Sequence, residues 1–233
     1  MVGTALNEAI ILAGGLGTRL QSEVPDVPKV LAPVAGRPFV AYLLDQLERQ
    51  SFTRVILATG YRAGQVEAAL GPRWRNLSLE YSLECDPLGT GGAIREALRL
   101  CQTEYIAVIN GDTYLEVDYE RFKEWVVGQK GRVGIALSHV EDATRYGRIV
   151  LEGSRVTDFK GKGFFGSAWI HAGAYCIARD ILQELPESVP FSFERYMEDT
   201  AKRGEIIGFR DTQCFIDIGI PEDYRRAQSL FGS

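Results

Sequence analysis

The first half of the chain alternates two hydrophobic periods, and few folds accept that alternation. Residues 9–13 form an unbroken apolar run that reads as a buried strand. Pro38 then suits the first turn of a helix in which Phe39, Leu43, Leu44 and Leu47 recur at helical spacing. Residues 54–59 read as a second strand ended by Gly60, 65–70 as a short helix stopped by Gly71-Pro72, and 77–82 as a third, alternating strand. A loop over 84–92 leads into a helix through Ile94, Leu98 and Cys101. A fourth strand at 105–109 and a helix around Tyr119, Phe122, Trp125 and Val126 complete the series. Strand and helix in strict turn predict a parallel sheet covered by helices on both faces, with ligands beyond the carboxyl ends of the strands.

The second half reads differently. Residues 133–140 suit a strand, 147–156 a hairpin, 168–177 another apolar strand, and Ile181, Leu182 and Leu185 a helix. A helix over 193–203, short strands at 206–209 and 214–218, and a last helix opened by Pro221-Glu222-Asp223 follow. With no linker, repeat or low-complexity segment, the second half is expected to extend one sheet. The 233 residues then make one domain, with a nucleotide half over about 1–130 and a second half over about 131–233.

Two features fall at the expected ligand edge. After the first strand comes Leu12-Ala13-Gly14-Gly15-Leu16-Gly17-Thr18-Arg19-Leu20, with Pro28-Lys29 ten residues beyond Arg19. Bare backbone N–H groups beside two cations suit a polyphosphate. A P-loop lysine is absent, and Leu20 stands where a dinucleotide fingerprint needs its third glycine, which argues against a redox protein on a dinucleotide fold. The plain alternative is a glycine-rich turn. After the fourth strand comes Asn110-Gly111-Asp112, whose carboxylate suits Mg²⁺ or merely caps a turn. Asp217 lies in an apolar run and needs a partner there: a metal shared with Asp112, or a salt bridge to Arg19 or Lys29.

Residues 87–93, dense in glycine, either admit a flat base close to the backbone or form a helix entry with Thr90 as a cap. Lys160 and Lys162 on a glycine-rich loop are solvated, or one reaches a substrate phosphate. His171 suits a structural or substrate-contacting role better than that of a base. A net charge of −5 disfavours a nucleic-acid partner, and no run reaches the roughly 18 apolar residues of a membrane span. Met1 to Glu8 carry no signal-peptide pattern. Cys85, Cys101, Cys176 and Cys214 are scattered, with no metal spacing to His139 or His171, and read as reduced cysteines of a cytoplasmic protein. Covalent hydrolase chemistry has no motif to rest on.

With those residues in place, the chain resembles the sugar-1-phosphate nucleotidyltransferases. The likeness is carried by the 12–20 segment with Pro28-Lys29, by 87–93, Asn110-Gly111-Asp112, Arg145-Tyr146-Gly147, Phe191-Ser192-Phe193-Glu194, and Phe215 to Tyr224. Within the family, the compact length, residues 32–39 and the Phe191–Glu194 segment are most similar to the subgroup acting on D-glycero-α-D-manno-heptose 1-phosphate. The resemblance implies an α/β fold, a Rossmann-like mixed, mostly parallel sheet flanked by helices of the GT-A-like kind, with a small antiparallel sugar-side extension. It implies transfer from an NTP, GTP for that subgroup, to a sugar 1-phosphate, releasing pyrophosphate, for cell-surface glycan synthesis. Mannose 1-phosphate with GTP, or glucose 1-phosphate with another NTP, are the alternatives within the family. A catalytically weak nucleotide-sugar sensor is the alternative outside enzymes.

By position, the resemblance implies that Arg19, Lys29 and Asp112 carry catalysis and that Asp112 and Asp217 hold Mg²⁺. Leu12, Ala13, Gly14, Gly15, Gly17, Thr18, Arg19, Glu84, Gly89 and Thr90 would meet the nucleotide, and Asn110, Gly147, Lys162 and His171 the sugar phosphate. A homo-oligomer is compatible with the family. Two positions depart from its pattern: Gly161 replaces a glutamate before the lysine, and His171 replaces an asparagine. In relatives both touch the sugar.

Overall fold

The computed structural model describes residues 7–15, 17–20, 23–187 and 190–232. Residues 1–6 of the N-terminal reading, Leu16 of the glycine loop and the Thr18 side chain lie outside that description. In chain order the elements are β1 (Glu8–Leu12), β2 (Pro33–Val34), β3 (Arg37–Pro38), α1 (Phe39–Arg49), β4 (Arg54–Thr59), α2 (Ala63–Leu70), β5 (Arg73–Trp74), β6 (Leu77–Leu83), α3 (Gly89–Leu100) and β7 (Tyr105–Asn110). The second half adds β8 (Thr113–Val117), α4 (Tyr119–Gly128), β9 (Val133–Val140), β10 (Arg148–Glu152), β11 (Arg155–Lys160), β12 (Ala168–Ala178), α5 (Phe193–Ala201), β13 (Ile206–Phe209), β14 (Thr212–Asp217) and α6 (Pro221–Phe231).

A ten-stranded sheet runs in the order β10-β11-β13-β9-β12-β7-β1-β4-β6-β5. The block β7-β1-β4-β6 is parallel, as the alternation of elements predicts. Beyond β7, β12 pairs antiparallel with both β7 and β9, and the sheet continues across five second-half strands. Successive residues of the inner strands point to opposite faces. Ala9, Ile11, Val55 and Leu57 pack with α1, α4 and α6, whereas Ile10, Ile56, Ile106 and Val108 pack with α3 and α5. Both faces are therefore covered, which is why β1 reads as a continuous apolar run rather than an alternating one.

Three local outcomes differ from the sequence reading. First, α3 starts at Gly89, inside the segment expected to be loop. Second, the helix expected around Ile181 is a 3-10 turn, Arg179–Gln183, with Pro186 closing the segment soon after. Third, β8 follows Asp112 at once and pairs antiparallel with β14, with Thr113 opposite Asp217. The β8 residues Thr113, Leu115 and Val117 are buried while Glu116 is exposed. That alternation is short, and it adjoins a turn and a helix, so it carries little signal alone.

Candidate functional site

The carboxyl ends of the parallel strands open into a cavity of about 580 Å³. Leu12, Ala13, Gly14, Gly15, Glu84, Gly89 and Thr90 line it, together with Lys29, Asn110 and Asp112. Pairing of β1 with β7 sets Leu12 opposite Asn110, and the Gly111 N–H donates to the Leu12 carbonyl at 2.9 Å. The glycine loop and the Asn-Gly-Asp turn are thus joined directly. A second cavity of about 250 Å³ adjoins, lined by Arg19, Gly147, Lys162, His171 and Asp217, and Glu194 borders both. Arg19 therefore stands with the sugar-side residues, and Asn110 with the nucleotide-side ones, each opposite to the grouping expected from the sequence. Gly17 lines a third hollow, of about 400 Å³, behind Lys29.

Charge concentrates where the two main cavities meet. Lys29 forms an ion pair with Asp112, so this lysine is neutralised by the nearer acid rather than by Asp217. Asp217 accepts the Gly219 N–H at 2.6 Å, and the Ile218 N–H donates to the Asp112 carbonyl at 2.9 Å. Burial pushes the Asp217 carboxyl up, and the Asp112 charge adds to that; Lys29 and the Gly219 N–H work against them. Two carboxylates opposed in this way gain from a further positive charge between them. Among the described residues no cluster of three or more metal-ligating side chains occurs. Two carboxylates with room for phosphate oxygens nevertheless match the demands of Mg²⁺, which keeps most of its shell for water and substrate.

Glu84 is held where β6 ends. Its own N–H donates to the Thr59 carbonyl at 2.8 Å, and the Leu88 N–H donates to its Oε2 at 3.1 Å. Burial raises its carboxyl above the usual range, with the Leu88 N–H opposing. In the glycine-dense segment, Phe191 lies against Gly89 and Gly91. A Cβ on Gly89 would lie 2.5 Å from the Phe191 carbonyl oxygen, and one on Gly91 would lie 2.1 Å from the Phe191 ring. The close approach is thus made by the chain itself. Thr90 caps nothing in its own helix. Its hydroxyl donates to Glu194 at 2.6 Å and accepts the Phe193 N–H at 3.0 Å, tying α3 to the start of α5.

On the other side, β12 carries a register shift between His171 and Tyr175, where Gly173 adopts φ +73°. A bulge of this kind re-aims the side chains beside it. His171 thereby lines the smaller cavity; its Nε2 is buried without a hydrogen-bond partner. Burial lowers its pKa to about 4, against the opposing pull of Glu194 and the Ala174 backbone, so the ring is neutral at physiological pH. Two residues before Gly147, Arg145 donates to Asp223 in the first turn of α6 at 2.6 Å. The sequence reading assigned no role to Glu194 or Arg145. Each stood inside a quoted motif, but neither has a local pattern that says what it faces.

The carboxyl-end edge of the parallel strands thus gathers the glycine loop, Lys29, Asp112 and Asp217 around two adjoining cavities. The chain belongs to the nucleotidyl transferase family, whose profile spans residues 8–231. It is 41% identical over 222 residues to the D-glycero-alpha-D-manno-heptose 1-phosphate guanylyltransferase of Aneurinibacillus thermoaerophilus, covering 95% of this chain and 96% of that one. The enzyme of the same name from Campylobacter jejuni is 36% identical, covering 93% and 96%. The crystal structure of HddC from Yersinia pseudotuberculosis complexed with GMP-PN superposes with a TM-score of 0.85 at 36% identity, covering 97% of this chain and 99% of that one. No helix among the described residues is long and apolar enough to cross a membrane.

Proposed function

We propose that the chain transfers the guanylyl group of GTP to D-glycero-α-D-manno-heptose 1-phosphate, yielding GDP-heptose and pyrophosphate. The observation that carries this reading is the pair of adjoining cavities meeting at Lys29, Asp112 and Asp217. One is large enough for a nucleotide. The other is smaller, with cations and polar side chains suited to a sugar phosphate. The choice of sugar and base leans on the named relatives.

Glu84 supports guanine on chemical grounds. A carboxylate accepts two hydrogen bonds side by side, and guanine presents two adjacent donors, N1–H and the 2-amino group. Uracil and thymine present one N–H between two acceptors.

In the proposed reaction a phosphate oxygen of the sugar 1-phosphate attacks the α-phosphorus of GTP in line. The bond from that phosphorus to the bridging oxygen breaks, and the electron pair leaves with pyrophosphate. The nucleophile is already an anion, so the site has no need of a general base. Its work is positioning and charge neutralisation. Lys29 serves the α-phosphate, and Arg19 and Lys162 reduce repulsion between the two anions. Asp112 and Asp217 would hold Mg²⁺, which when bound supplies charge neutralisation and a template for phosphate oxygens. On this reading the chain acts as one domain, the glycine loop gripping the nucleotide and the second half the sugar.

The test is a matrix of GTP, UTP, CTP and dTTP against heptose, mannose, glucose and N-acetylhexosamine 1-phosphates, followed by pyrophosphate release. The expected outcome is turnover with GTP and the heptose 1-phosphate well above every other pair. Silence across the matrix with tight binding of a nucleotide sugar would instead mark a sensor.

A further inference from the structure

Three carboxylates line the smaller cavity, and two of them are already engaged. Asp223 is paired with Arg145 at 2.6 Å. Asp217 accepts the Gly219 N–H and faces the Lys29–Asp112 pair. Glu194 is different. The hydroxyls of Thr90 and Ser192 donate to its Oε2 at 2.6 and 2.7 Å, and it forms no ion pair with a described residue. Those two bonds hold one oxygen and leave Oε1 with its acceptor capacity unspent.

The surroundings say what Oε1 meets. Met197, one turn along α5, lines the smaller cavity with Glu194, as i, i+3 residues on one helix face should. The charge of Glu194 registers on His171, whose neutral ring has an unpartnered Nε2. Ile149, Phe159 and Met197 give the cavity an apolar wall. A buried imidazole nitrogen without a partner and a carboxylate oxygen open to accept, beside an apolar wall, suit a ligand with hydroxyl groups on one side and C–H groups on the other, which is a pyranose. Gly161 has open space where a side chain would project, so that position brings no side-chain acceptor.

We propose that Glu194 is a sugar-specificity residue: its Oε1 accepts a hydrogen bond from a hydroxyl of the sugar 1-phosphate, beside His171. This rests on the sugar-1-phosphate reading above. The carboxylate thereby selects sugars by the direction of that hydroxyl. A site built to hydrogen-bond a hydroxyl rejects analogues lacking it more strongly than an apolar pocket can.

The test is Glu194→Gln, assayed for kcat and KM with GTP, with the preferred sugar 1-phosphate, and with analogues lacking one hydroxyl each. The glutamine carbonyl can still accept from Thr90 and Ser192, while its amide turns a donor into the cavity. The expected result is a roughly tenfold or greater loss in kcat/KM for the sugar 1-phosphate, with KM for GTP within about twofold of wild type. One deoxy analogue should be poor for wild type and no worse for the variant than the parent sugar. A rise in KM for GTP alone would assign the carboxylate to the ribose and overturn the proposal, as would unchanged kinetics. If Glu194→Gln lowers the melting temperature by several degrees, Glu194→Asp, which keeps the charge and withdraws it by one methylene, carries the same comparison. Wild-type protein silent with every sugar 1-phosphate overturns the transfer reading itself; active wild type with an unaffected variant overturns only the role of Glu194.

Discussion

Gly89 shows how one residue can serve two ends of the chain. It adopts φ +72°, a region in which a Cβ costs roughly 1–2 kcal/mol. It also lies under the Phe191 backbone, where an added methyl would stand 2.5 Å from a carbonyl oxygen. Backbone cannot swing away as a flexible side chain can. Gly89→Ala should therefore cost roughly 2–4 kcal/mol in urea unfolding. A loss below about 1 kcal/mol would mean that the contact between the α3 start and Phe191 yields easily. At this scale the sequence was half informative. Three glycines in 87–93 signalled a close approach, but residues a hundred positions away supply the partner. Lys29 repeats the lesson. Its presence beside a phosphate loop was legible, but its pairing with Asp112 was not, since the two are brought together only when β1 and β7 pair.

Elements are held at their ends by polar pins, and β1 is the clearest case. Glu8 is buried at its start and accepts the Gln102 and Thr103 N–H groups at 2.6 and 2.7 Å and an Arg54 guanidinium N–H at 2.6 Å. This fastens β1 to the turn that enters β7 and to β4. Burial pushes the Glu8 carboxyl up, but the Thr103 and Gln102 N–H groups and Arg54 outweigh it and hold the group below the usual 4.5. A carboxyl depressed in the folded state adds stability above its unfolded value, and that stability is lost as pH falls through the folded one. Glu8→Gln should therefore cost about 2 kcal/mol near neutral pH, with the gap to wild type closing as pH falls below 4.5. Parallel stability curves down to acid pH would contradict this role. The strands themselves were readable because their period is local: Arg54–Thr59 matches the expected span, and β9 does as well. The start of α3 was not readable, because Phe191 and Glu194 receive its first turn and so stabilise helix where the glycines alone favour loop.

At the scale of the whole molecule, the site is a seam between the two ends of the sequence. Asp112 leaves the fourth parallel strand, and Asp217 arrives on β14; the β8–β14 pairing sets them side by side. Asp112→Asn should lower turnover on the order of 10²-fold or more. Its melting temperature should stay near that of wild type, since the Asp112 carbonyl still accepts from Ile218. Normal turnover in that variant would remove Asp112 from the reaction. The sequence by itself determined the parallel sheet, its helical cover and the glycine loop at its edge. Each of these is written in consecutive residues, through a hydrophobic period or a local backbone demand. Only the tertiary structure decided that Lys29 neutralises Asp112, that Asp217 stands beside it, and that Glu194 reaches both cavities. Those placements depend on the register of β8 against β14 and the packing of α5 on α3, and each joins residues far apart in the chain. Such contacts form only when strand pairing and side-chain packing close together, so no stretch of sequence carries them alone.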